Sequence, residues 1–186
     1  MAKLIKNLYL QGASGMLGGQ LVYRNVNGET IVSSRPERRK TISETQRKQN
    51  TRFRNASAFA KHAIQDDVLG PIYAEAVVHM IRYQNAYTLA ITDYLKAPEI
   101  GDIHLESGVS GSTLLVEAYE QPQVAKVVVD ILTADERVVT SRVASLTDNG
   151  IQWKFVLTQD IPEGGSVLVK AYDLPGNVTS KAFTVE

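Results

Sequence analysis

The sequence predicts an α+β chain in two parts: a β-hairpin and two helices over residues 1–98, then a seven-stranded antiparallel β-sandwich over residues 99–186. Two apolar periods predict it, and the charge division follows the same order along the chain. Apolar residues recur near every 3.6 positions up to about Lys96, and from Ile103 the repeat changes to two. Charge divides the same way. Residues 1–65 hold twelve Lys and Arg against three acids, a net of +9, and residues 66–186 hold a net of −9, although the whole chain is formally neutral. Such a division concerns partners rather than fold: one end seeks a negative surface that the other repels.

The chain opens with Gly12-Ala-Ser-Gly15-Met-Leu-Gly18-Gly19. A phosphate-cradling loop needs GxxxxGK[ST] or GxGxxG between a strand and a helix, and neither pattern is present, so a tight turn or packed arm is expected. Leu21–Val26 and Glu29–Ser33 flank Asn27-Gly28, a strong two-residue hairpin signal because both turn positions tolerate positive φ. Arg35-Pro36 ends the second strand, since proline has no ladder donor.

Ser43 followed three residues later by Gln46 matches a capping box and predicts a helix over about residues 44–65. Its expected apolar face is Phe53, Ala56, Phe59, Ala60, Ala63 and Ile64, with Arg47, Lys48, Arg52 and Arg54 on the rest. Gly70-Pro71 breaks the chain and suits the first turn of a second helix, expected from Ile72 to Lys96, before Pro98. Ile72, Ala76, Met80, Tyr83, Tyr87, Ala90 and Tyr94 form its stripe. A stripe with four tyrosines on one helix (73, 83, 87, 94) reads as packing or subunit interface ahead of base or sugar stacking.

Strand character then falls on Ile103–Glu106, Leu114–Tyr119, Val124–Leu132, Val138–Leu146, Gln152–Leu157, Val167–Tyr172 and Val178–Val185, separated by turn signals such as Asp148-Asn149-Gly150 and Pro175-Gly176-Asn177. The single tryptophan, Trp153, is the expected core anchor.

No catalytic arrangement emerges. There is no cysteine, which removes thiolate nucleophiles and cysteine-based zinc sites. His62, His79 and His104 share no metal-ligand spacing, Asp66-Asp67 diverges at a helix end, and Asp130, Asp135 and Glu136 lack calcium-loop spacing. The expectation is a non-enzyme with no cofactor and no metal. Lys6 and Asn7 interrupt the apolar character of residues 1–10, so no signal peptide is read there, and no stretch reaches the ~20 apolar residues of a membrane span.

The basic residues Arg35, Arg38, Arg39, Lys40, Arg47, Lys48, Arg52 and Arg54 are the candidate docking set. They suit an acidic protein surface, or phosphates with the salt dependence that brings, or simply a solvated face. No helix-turn-helix, zinc-finger or RNA-recognition signature favours sequence-specific reading.

Val127-Val-Val-Asp-Ile131, the Trp153-Lys-Phe155 strand and Val167-Leu-Val-Lys-Ala-Tyr-Asp-Leu-Pro-Gly-Asn177 together resemble bacterial and phage immunoglobulin-like modules, the last run matching a V-x-A-x-D-x-x-G-N close. Gly15-Met-Leu-Gly-Gly19, Val32-Ser-Ser-Arg-Pro36 and Gln46-Arg-Lys-Gln-Asn-Thr-Arg52-Phe53 resemble an uncharacterised family of small bacterial and phage proteins that places a β-sandwich after its helices. The departures are an arginine directly before the proline and a linker without asparagine-proline. The resemblance implies a virion structural protein assembled in the host cytoplasm, an auxiliary capsid protein ahead of a neck or tail ring protein. Its implied partners are other virion proteins and further copies in a homo-oligomer or symmetric array, with nucleic acid as the alternative through the basic half and no membrane. A glycan-binding adhesion module is the remaining alternative, and the fold alone names no activity.

Overall fold

The structure, a computed structural model, describes residues 2–4, 9–10, 12–26, 28–36, 41–80 and 85–184. It is α+β, with three helices and antiparallel sheets, and it divides into two compact units, Met1–Gln46 and Arg47–Glu186. The helices therefore share a unit with the C-terminal sheets, where the sequence suggested a division after residue 98.

The first unit is a four-stranded sheet of β1 (Ala2–Leu4), β2 (Gly15–Leu17), β3 (Leu21–Val26) and β4 (Glu29–Ser34), in the order β1-β4-β3-β2. The expected hairpin is β3–β4, with Val26 paired to Glu29 and Gly28 at φ +81°. The glycine-rich opening supplies β2 and a turn in which Gly18 and Gly19 both take positive φ, a conformation that disfavours a Cβ. Thr30 is buried on β4, and its Oγ1 accepts from Gly12 N at 2.8 Å.

Helix α1 spans Glu44–Ala63. The capping box forms reciprocally: Gln46 N donates to Ser43 Oγ at 3.3 Å and Ser43 N to Gln46 Oε1 at 3.1 Å. Ala56, Ala60 and Ala63 are buried, while Phe53 is 55% exposed and Ile64 is also exposed. The expected apolar face is thus narrower than its spacing suggested, because only the small residues and Phe59 meet the neighbouring helices. Phe59 stacks on Tyr94, ring centroids 5.4 Å apart.

The single helix expected over residues 72–96 is two helices, α2 (Leu69–His79) and α3 (Ala86–Leu95). Met80 and Asn85 are both extended, and the Asn85 side chain accepts from Thr88 N, the N-cap geometry that starts a new helix. Tyr83, placed in the expected tyrosine stripe, lies outside the described residues. At the start of α2 the Asp66 carboxylate accepts from Val68 N and Leu69 N, which holds its pKa below the usual range. Ala60, Ala63, Tyr73, Leu89 and Ala90 form the helical core.

The remaining strands form two four-stranded antiparallel sheets. One orders β5 (Glu99–Leu105), β6 (Thr113–Tyr119), β10 (Gln152–Val156) and β9 (Ser145–Leu146) as β5-β6-β10-β9. The other orders β12 (Val178–Thr184), β11 (Ser166–Tyr172), β7 (Lys126–Leu132) and β8 (Val138–Val143) as β12-β11-β7-β8. Alternation decides the facing sides: Leu114, Val116 and Ala118 of β6, with Trp153 and Phe155 of β10, share one core with Val127, Val129 and Ile131 of β7 and Val167, Val169 and Ala171 of β11. Trp153 is the expected anchor, 7% exposed. Eight strands stand where seven were expected, because residues 138–146 change sheets. Val128–Leu132 pair with β8, Ala144 is buried with its N donating to Val127 O at 2.8 Å, and Ser145 and Leu146 pair with β10.

Candidate functional site

The V-x-A-x-D-x-x-G-N run does local work first. Asp173 Oδ1 accepts from Gly176 N at 2.8 Å and Asn177 N at 2.6 Å, closing the β11–β12 turn. Asn177 Nδ2 then lies 2.7 Å from Asp173 Oδ2 and 2.8, 3.2 and 3.3 Å from the carbonyl oxygens of Lys96, Tyr94 and Asp93. A strand turn thereby places an amide with two N–H donors among the carbonyls at the end of α3, of which Asp93 O already accepts from Lys96 N. Leu174, next in the turn, packs into the helical core.

Beneath this junction lie carboxylates. Asp93 is fully buried, its Oδ2 accepting from Tyr73 Oη at 2.5 Å and its Oδ1 without a hydrogen-bond partner among the described residues. Burial pushes Asp93 up to about 7, opposed by the Tyr73 hydrogen bond and helped by the charges of Asp173 and Glu120. Burial also raises Asp173 and Glu120, and together with the Asp93 bond it raises the Tyr73 phenol. A cleft of about 790 Å³ opens above, lined among others by Thr92, Lys96, Glu99, Glu120, Gln123 and Trp153.

The candidate docking residues separate under the structure. Arg38, Arg39 and Lys40 lie outside the described residues. Arg35 is exposed in the first unit, where its backbone N donates to Gln20 O at 2.7 Å. Arg47, Lys48, Arg52 and Arg54 are exposed on α1, yet they do not share one face. At about 100° per residue, Arg47 and Arg54 lie opposite the buried Ala56, Ala60 and Ala63, while Lys48 and Arg52 flank the buried side. Arg52 is already committed: its Nη2 donates to Leu95 O at 2.6 Å, a cation at the C-terminus of α3.

Lys61 completes the outward line, seven residues beyond Arg54, and is exposed. The sequence reading passed over it, although a cation at each of three positions seven apart was a readable signal. No ion pair joins Arg47, Arg54 or Lys61 to a carboxylate among the described residues.

The acids of the second unit are also placed unevenly. On the edge strand β5 and just past it, Glu99, Asp102 and Glu106 are exposed. On neighbouring β6, Glu117 accepts from Tyr119 Oη at 2.6 Å and Gln152 Nε2 at 3.2 Å; these bonds hold its carboxyl below the usual range. Asp130, one of the residues weighed for calcium, is instead buried between Lys170 Nζ at 2.6 Å and Ser141 Oγ at 2.5 Å. His62, His79 and His104 are exposed, and no group of three metal-ligating side chains occurs among the described residues. No helix of the described residues is long and apolar enough to cross a membrane. No family model, curated protein or solved structure matches this chain at a significant level.

Proposed function

We propose that this chain is a non-catalytic structural protein of a phage virion, an auxiliary capsid protein that docks through a basic face and presents an immunoglobulin-like β-sandwich to the next contact. The observation that carries the docking reading is the line Arg47, Arg54 and Lys61, exposed along the side of α1 opposite its buried alanines. Three cations with no ion pair among the described residues favour a negative surface on another molecule, and arginine is enriched where proteins meet. Phe53, more than half exposed between that line and the buried side of α1, adds an exposed aromatic to the helix surface. The virion setting rests on the two sequence resemblances, the glycine-punctuated opening with its R-P and Q-x-x-x-R-x-x-F runs, and the immunoglobulin-like close at Asp173–Asn177. Two four-stranded sheets around one core are compatible with that module.

The test replaces Arg47, Arg54 and Lys61 together by glutamate and asks whether the variant enters assembled particles. Retained melting temperature with lost incorporation supports the reading; normal incorporation of the folded variant overturns it. A salt titration of wild-type binding to duplex DNA is run beside it. Tight binding that weakens steeply with salt and vanishes in the same variant assigns the basic face to nucleic acid and overturns the protein-docking reading.

A further inference from the structure

We propose that the basic face of α1 docks, head to tail, on the acidic face of β5 in a second copy of this chain. The proposal deepens the docking reading above and rests on it, adding the identity of one occupant.

Charge points to this pairing. Along α1, Arg47, Arg54 and Lys61 follow one another at about 10.5 Å, from seven residues at 1.5 Å. Along β5 and just past it lie Glu99, Asp102 and Glu106; the register shift between Ile100 and Ile103 brings Glu99 and Asp102 closer together than regular strand spacing would, and Glu106 also accepts from Thr113 N at 3.0 Å. A row of three exposed cations is thereby matched in charge by a row of three exposed carboxylates. The acidic side is built to stay negative: Glu117 beside it is held ionised by Tyr119 and Gln152. Cations near it include Lys96, which lines the same cleft as Glu99 and faces Glu120, Lys181, whose Nζ is turned onto Gly101 O at 2.6 Å, and Lys154 on β10, two strands away. His104 lies on β5 between Asp102 and Glu106.

Position within the fold makes the contact intermolecular. Both faces belong to the same compact unit, Arg47–Glu186, and no ion pair links them within the chain among the described residues. A surface that meets a different surface on its neighbour is heterologous, so the copies close into a ring or extend as a filament. One exposed ion pair contributes little, and several such contacts, repeated around an assembly, gain by avidity.

Sedimentation velocity on the full chain tests this. Wild type is expected to form concentration-dependent oligomers at low ionic strength that dissolve in high salt, where exposed pairs are screened. Arg47→Glu/Arg54→Glu and Glu99→Lys/Asp102→Lys should each sediment as monomers with unchanged melting temperature, because each places like charges across the contact. Their equimolar mixture, and a single chain carrying all four reversals, should assemble again. The inference is overturned if either double variant assembles like wild type, if the mixture and the fourfold variant stay monomeric, or if wild type is monomeric at low salt. In that last case incorporation into particles still reads the docking proposal separately, so the two failures are distinguishable.

Discussion

Arg52 donates from Nη2 to the backbone oxygen of Leu95 at 2.6 Å, tying the middle of α1 to the last turn of α3. A guanidinium at that place satisfies an orphan carbonyl and sits at the negative end of the helix dipole. It is the one α1 arginine whose structural and docking roles compete.

Arg52→Ala should therefore destabilise the fold by about 1 kcal/mol, at the modest end for a charge-assisted bond because the side chain is exposed. Arg47→Ala and Arg54→Ala should stay within about 0.5 kcal/mol of wild type, as expected for surface positions with no ion pair among the described residues. Urea unfolding of the three variants checks both statements. Equal loss in all three would mean that the Leu95 contact adds nothing.

Much of this architecture is written in local signals, and the junction is not. Ser43 and Gln46 cap a helix by interactions reaching three residues, Gly28 turns a hairpin, and alternation places Trp153 inward; each is readable because its cause lies close in sequence. The break between α2 and α3 was also local. Asn85 stands three residues before Thr88 in N-cap order, and the apolar stripe running through it hid the signal. The sheet change at Ala144 has no such mark, since a continuous run of strand formers reads the same whether or not it crosses. Arg52 and Asn177 are harder still: their partners lie 43 and more than 80 residues away. The docking set mixed Arg52 with Arg47 and Arg54 because composition counts charges without saying which ones the fold has used.

The buried carboxylate Asp93 should make stability depend on pH. Its pKa rises from 3.8 in the unfolded chain to about 7 in the fold, so the folded protein binds that proton more tightly. The contribution is fully present below pH 4 and is lost as pH rises through 7. Asp173 and Glu120, also raised, act in the same direction, while Tyr73 and Asn177 supply hydrogen bonds and Lys96 faces Glu120 with a positive charge. Asp93→Asn keeps an acceptor for Tyr73 Oη and removes the titration. The expected result is a flatter stability profile between pH 4 and 7 than wild type shows; identical profiles would assign the dependence to other groups.

Asn177→Ala should cost about 2–3 kcal/mol, since it removes the two N–H donors that Asp173 Oδ2 and the carbonyls around the end of α3 share. Asn177→Asp should cost more, because it sets a third carboxylate beside Asp173 and Asp93. The order wild type, alanine, aspartate in melting temperature is the check, and an aspartate variant as stable as wild type contradicts this account of the junction.

A close approach of chains at Gly165 gives the last prediction. Gly165 is buried before β11, and a Cβ there would lie 2.5 Å from Leu132 O and 2.8 Å from Pro162 O. Both are backbone atoms, fixed respectively at the end of β7 and by the bond that Pro162 O accepts from Gly165 N at 2.8 Å. Neither can move aside as a flexible side chain would, so Gly165→Ala must displace the turn entering β11, the strand paired on both sides in its sheet. The expected loss is about 1–3 kcal/mol, the range for forcing extra atoms into a packed place. Gly111→Ala is the control: its Cβ would meet no atom within 4 Å, so that variant carries only the strain of φ +90°. If Gly165→Ala unfolds at the wild-type urea midpoint, the close approach of Leu132 O and Pro162 O to Gly165 does not constrain that position.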